Sequence, residues 1–168
     1  DEQVAGFMEE LWEQQRKYED KYLDRSEKEF HEDSYESFLD SMQDYLGRLD
    51  KQQRALLRDA SDGLLRSDRA WLQERAAWLE KLGILMQREP GWQQRVREAI
   101  AARSENTSPE YRRIYTHNLA LIHATVATLL NSRSDKQDRR LRKALSDLRE
   151  DLETLIAQGK KATSAAAA

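Results

Sequence analysis

The chain has 168 residues, with 31 acids against 28 bases, no cysteine, six glycines and two prolines. A chain of that length suits one domain able to bury roughly 70% of its unfolded surface without crosslinks. Disulfides, thiolate nucleophiles and Cys-ligated zinc are excluded, and the scarcity of β-branched residues outside 114–126 argues against any sheet.

The charge is unevenly placed. Residues 1–50 carry 16 acids and 6 bases, whereas the remainder carries 15 acids and 22 bases, so the acidic first part is expected to lie along the basic later part. The bases Arg139, Arg140, Arg142 and Lys143 alternate with Asp135, Asp138 and Asp147, unlike the single-sign face that nucleic acid requires. No nucleic-acid partner is expected. No run of 18 apolar residues occurs, so no span is expected. The chain opens at Asp1 without Met and inside a helical pattern, which reads as a fragment or processed form.

Val4, Met8, Leu11, Tyr18 and Tyr22 mark one face of a first helix over about 3–24, flanked by Phe7 and Trp12. Ser26 with Glu29 is a capping box that restarts the chain, and Phe30, Phe38, Met42 and Tyr45 line the second helix, closed by Gly47. Asp50 with Gln53 opens the third. After break points at 61–63 and 67–68, the fourth helix carries Trp71, Trp78, Leu82 and Leu85 on one face and Leu65, Leu72, Leu79 and Met86 on its neighbour. An arc that wide predicts contact with two or more partners. Glu89-Pro90-Gly91 ends it, and a short fifth helix follows from Pro90 to about Arg103.

Ser108-Pro109-Glu110 starts the sixth helix, whose residues 119–130 are the least charged dozen and are expected to form the most buried element. Ser134 with Gln137 is a third capping box. In the last helix Leu141, Leu145, Leu148, Leu152 and Leu155 follow a 4, 3, 4, 3 spacing that places them on one stripe, running to about Gln158 before Gly159. Residues 161–168, rich in alanine without periodicity, are expected to form a disordered tail beyond a bundle domain over 1–160. The segments Asp50 to Arg54 and Asp135 to Arg139 look alike, and shared capping chemistry accounts for that as well as a repeat does. The fold class is all-α: one bundle of six to seven amphipathic helices.

Catalytic chemistry has little to work with. His117 and His123 are six apart and cannot share a metal on one helix face. Glu27 and His31, four apart, read as an ion pair. His123 reads as a hydrogen-bonded core or interface histidine, with Asn118 and Thr125 available to satisfy it. No phosphate-cradling glycine loop or nucleophile elbow occurs, so neither catalytic residue, metal nor cofactor is assigned. Four Trp and six Tyr remain, a supply suited to protein-binding hot spots, although an apolar helical stripe is core before it is anything else.

The runs 13–23 (Glu-Gln-Gln-Arg-Lys-Tyr-Glu-Asp-Lys-Tyr-Leu), 46–56 (Leu-Gly-Arg-Leu-Asp-Lys-Gln-Gln-Arg-Ala-Leu) and Trp71 to Trp78 around Arg75 resemble the carboxy-terminal portion of a family of proteobacterial cell-envelope lipoproteins of unknown function. The likeness spans about residues 7–130. It implies a helical protein on the periplasmic side, anchored at the outer membrane by an acylated cysteine that this chain does not contain. Leu49-Asp50-Lys51-Gln52-Gln53 is also similar to the Leu-Thr-x-x-Gln signature of small periplasmic helical chaperones, with Asp50 in place of Thr and a single copy present.

The expected function is therefore a non-catalytic envelope module that binds a protein or unfolded polypeptide through Arg16, Tyr18 and Tyr22 of the first helix and Trp71, Arg75 and Trp78 of the fourth. The alternatives are a cell-wall or lipid-active enzyme using Glu13 or Glu19, and a module that self-associates through the Leu141 to Leu155 seam.

Overall fold

A computed structural model describes residues 2–87, 89–103 and 107–166, with side chains described through residue 159. Seven helices are present among the described residues: α1 (Glu2–Tyr22), α2 (Glu27–Leu46), α3 (Lys51–Asp62), α4 (Asp68–Leu85), α5 (Trp92–Ala101), α6 (Pro109–Asn131) and α7 (Asp135–Ala166). No strand occurs among them, and the all-α class expected from the periodicity holds.

Local chemistry sets the helix starts. The Glu29 carboxylate accepts the Ser26 N–H at 2.6 Å, and the Glu29 N–H donates to Ser26 Oγ at 3.2 Å. The same exchange joins Asp50 to Gln53 and Ser134 to Gln137, so all three capping boxes form. Ser108 Oγ accepts the Tyr111 N–H at 3.2 Å and opens α6. Gly47 closes α2 at φ 74°, where any side chain would be strained, and Arg140 covers the same turn, donating to the Asp44 carbonyl at 3.4 Å. A cation there also complements the negative end of the helix dipole.

The contacts divide the described chain into two compact units. The first comprises residues 1–33 and 62–123, the second 34–61 and 124–168.

In the first unit α1 packs on α4, and α4 on α5, which is the double contact the wide apolar arc predicted. Leu72 and Leu79 are buried from α4, with Ala99 from α5 and Ile114 from α6. Gln15 occupies the vacant place in the Val4, Met8, Leu11, Tyr18 and Tyr22 stripe and is 1% exposed; its amide donates to the Leu72 carbonyl at 3.2 Å and to Glu19 at 2.8 Å. Asp68 is buried at the start of α4 and held by Arg25 through Nε at 2.8 Å and Nη2 at 2.6 Å, and by Arg66 at 2.9 Å. Arg66 also caps the end of α1 through the Tyr22 and Leu23 carbonyls.

In the second unit Leu46, Leu49, Leu57 and Leu129 form a closed cluster, with Tyr35, Phe38, Leu39, Met42, Leu56, Leu130 and Leu141 packed against it. Burying each such leucine contributes roughly 1.5–3 kcal/mol. Arg58 lies over the Tyr35 ring, 3.5 Å from its centroid.

Three local expectations are corrected. Tyr45 faces outward, because the inward stripe of α2 runs through Tyr35, Phe38, Leu39, Met42 and Leu46. The sixth helix is not the buried centre: Ile114, Thr125 and Leu129 are its buried residues, and Ala120, His123, Ala124 and Ala127 are exposed. Low charge there reflects small residues that tolerate solvent rather than an apolar surround. The last helix does not stop at Gly159 but continues through most of the anticipated tail to Ala166, since alanines favour helix strongly and one glycine costs only about 1 kcal/mol. The final two residues of that tail lie outside the described residues.

Candidate functional site

The residues of interest lie in the first unit. Tyr18 and Tyr22, one turn apart on α1, stack with centroids 6.1 Å apart, and Trp71 of α4 meets both edge-on at 5.4 and 6.4 Å. Arg75, one turn beyond Trp71, sets its guanidinium 5.2 Å from the Tyr18 centroid. Arg16 points to solvent from α1, so it stands apart from this cluster.

On its other side α4 walls a cleft of about 880 Å³, lined by Trp71, Arg75, Trp78, Arg103, Tyr111 and Tyr115, among others. Trp78 lies beneath Arg103, whose Cζ is 4.8 Å from the ring centroid. Tyr111 and Tyr115 stack at 6.1 Å on the first turns of α6. A smaller hollow of about 150 Å³ shares Trp71, Tyr111 and Tyr115 and ends against Leu119 and Ile122. The structure thus unites Trp71, Arg75 and Trp78 in one wall and leaves Tyr18 and Tyr22 as their backing. It adds Tyr111, Tyr115, Arg103 and Arg112, which the sequence reading passed over. Tyr111 and Tyr115, four apart directly after the Ser108 cap, were the signal that could have found them.

Among the described residues the cleft lining is basic: Arg75, Lys81, Arg103 and Arg112 stand against the acid Glu74, whose carboxylate accepts the Ser108 N–H at 2.8 Å. Arg75 Nε and Nη2 are shielded from solvent and have no hydrogen-bond partner among the described residues. Buried donors of this kind are uncommon and call for an explanation.

The chemistry proposed for the alternatives finds different surroundings. Glu13 is solvent-exposed, and its hydrogen bond to Lys17 at 2.7 Å holds its carboxyl below the ordinary value, the reverse of what a general acid needs. Glu19 accepts the Gln15 amide. His31 pairs with Glu27 at 3.6 Å, as its spacing predicts. His123 is exposed, which rules out the core half of the expectation of a core or interface histidine, and Asn118 serves another purpose, exchanging two hydrogen bonds with the Leu65 backbone at 2.8 and 2.9 Å. His117 Nε2 lies 3.0 Å from the Gly63 carbonyl oxygen. Among the described residues, no cluster of three or more His, Cys, Asp or Glu is disposed to hold a metal, and no helix is long and apolar enough to cross a membrane.

Comparison with known proteins found no matching family model, no matching curated protein and no matching solved structure.

Proposed function

We propose that this chain is a non-catalytic binding module that holds a polypeptide segment of a partner, folded or unfolded, in the cleft between α4, α5 and α6. The observation that carries this reading is the cleft wall itself: two tryptophans and two tyrosines on a concave surface of about 880 Å³. Rigid aromatics present large contact area at small entropic cost, and arginine beside them supplies directional hydrogen bonds, the composition of protein-binding hot spots. The exposed, Lys17-paired Glu13 is poorly suited to acid catalysis, which favours binding over the enzymatic alternative. The resemblance of residues 7–130 to envelope lipoproteins supports a place on the periplasmic side of the cell envelope.

Random peptides displayed on phage and panned against the intact chain test the reading. Enrichment of peptides that bind in competition with one another, and that lose binding to a Trp78→Ala variant, is the expected result. Absence of any enrichment, or enriched peptides indifferent to Trp78, overturns it.

A second reading rests on α7. Leu145, Leu148, Leu152 and Leu155 are all about half exposed, a heptad-spaced seam left uncovered by the described residues. Its matching occupant is the same seam of a second copy.

A further inference from the structure

We infer that the cleft selects acidic segments, seating a carboxylate on the Nε–Nη2 edge of Arg75 with an adjoining apolar side chain between the tryptophans and tyrosines; this rests on the peptide-binding reading above. Three observations carry it.

The first is the empty edge. Nε–H and one Nη2–H point the same way on a guanidinium and match the two oxygens of a carboxylate. The protein itself shows the pairing: Arg25 uses the same two atoms to hold Asp68 at 2.8 and 2.6 Å. In Arg75 both atoms are without a partner among the described residues. That edge is shielded from solvent in this conformation, so seating a carboxylate on it requires the long side chain to turn toward the cleft, which gives up the contact with the Tyr18 ring but no hydrogen bond at those two atoms. Binding therefore replaces two orphaned donors by two charge-assisted bonds, a gain that a neutral ligand cannot match.

The second is the field of the cleft. Among the described residues four bases line it against one acid, Glu74, which is engaged by the Ser108 N–H. A segment bearing negative charge is drawn in and one bearing positive charge repelled.

The third is the apolar rim. Ile100 and Tyr115 remain more than half exposed at its edge. An acidic residue next to a large apolar one satisfies both features at once, whereas a simple anion leaves the rim uncovered. The concave aromatic wall likewise favours a peptide over an anionic lipid surface, which would meet only the outermost bases.

The panning experiment distinguishes this inference from the reading beneath it. The enriched pool is expected to be rich in Asp and Glu beside Trp, Phe or Leu. One enriched peptide and its Asn/Gln isostere are then titrated, by tryptophan fluorescence, into the wild-type chain and Arg75→Lys. The acidic peptide should bind at least about tenfold more tightly than its isostere and weaken as salt is raised. Arg75→Lys, which keeps the charge but lacks the fork, should lose roughly tenfold for the acidic peptide and little for the isostere. An Arg103→Ala variant, at the rim, gives a second reading should Arg75→Lys be unstable, with the same preference reduced. An enriched pool that is neutral or basic overturns the acidic selection while leaving peptide binding in place. Equal binding of peptide and isostere, or indifference to Arg75→Lys in a folded protein, assigns the Arg75 edge to internal structure and overturns it as well. Binding of phosphatidylglycerol vesicles with no peptide enriched overturns both readings.

Discussion

Gln53 and Gln137, 84 positions apart, exchange two hydrogen bonds through their side-chain amides, at 3.0 and 2.9 Å, in the interior of the second unit. Each is also the reciprocal residue of its own capping box, so its carbonyl oxygen accepts a helix-entry N–H as well, from Asp50 at 3.1 Å and Ser134 at 2.9 Å. Their remaining amide hydrogens reach backbone carbonyls, Gln53 to Ser132 at 3.4 Å and Gln137 to Arg48 at 3.1 Å. The likeness of the two segments thus has a structural use: two helix starts meet head to head through the residues that cap them. A buried polar pair with every group partnered is specific in register and costly to halve.

The first prediction follows from that reciprocity. Gln53→Leu strands Gln137 and removes one cap, so it should cost about 2 kcal/mol in urea unfolding, and Gln137→Leu should cost about the same. The double variant, with no buried amide left unpaired, should cost at least about 1 kcal/mol less than the two added together. Strict additivity would mean that the two amides act only as separate caps.

Asp68 carries the second. Burial alone would raise its carboxyl, but hydrogen bonds from Arg25 and Arg66 outweigh burial and hold it below its ordinary value of 3.8. The unfolded chain therefore takes up this proton first on acidification. The stabilisation from the group is complete above the unfolded value and is lost as pH falls through the depressed folded value. Wild-type stability should fall below about pH 4, and Asp68→Asn should flatten that limb while costing about 3 kcal/mol at neutral pH, since it leaves two arginines facing an uncharged amide. A variant whose acid limb matches the wild type would remove Asp68 from this role.

Much of this fold was legible because its signals are local. Ser26 with Glu29, Asp50 with Gln53 and Ser134 with Gln137 each act within four residues, as does the proline at the start of α6, and the helix starts followed from them. The polar interior was not legible. Gln15 and Gln53 are buried because of the Leu72 carbonyl and of Gln137, and no local pattern announces partners 57 and 84 positions away. The exposure of His123 and of much of α6 has the opposite cause, since a shortage of charge does not demand burial where alanine and threonine supply it. For the cleft, Trp71, Arg75 and Trp78 could be found from their helical spacing, but the opposite wall could not. Tyr111 and Tyr115 reach it only through the tertiary placement of α6, which Asn118 fixes to the Leu65 backbone and Ser108 to Glu74.

That placement gives the third prediction. Glu74→Gln keeps an acceptor for the Ser108 N–H while removing the one negative charge that the described residues place in the cleft lining. Thermal stability should change by no more than about 0.5 kcal/mol. Affinity for an acidic peptide enriched on the cleft should rise about threefold, with the gain shrinking as salt is added. Weaker binding with stability unchanged would show that Glu74 contacts the ligand itself.

The fourth concerns α7, where one stripe changes character along its length. Leu141 packs against the core of the second unit, whereas Leu148 and Leu155 are 47% and 61% exposed. Local ion pairs Arg142 with Asp138 and Lys143 with Asp147 support the helix without covering the seam. Leu148→Glu and Leu155→Glu should therefore leave unfolding free energy within about 0.5 kcal/mol of the wild type, while Leu57→Ala, at a position with no exposure, should cost about 3 kcal/mol. If two copies pair along the seam, the weight-average sedimentation coefficient of the wild type rises with concentration and that of the Leu148→Glu/Leu155→Glu variant does not. A wild type that sediments as a monomer at every concentration removes the self-association reading.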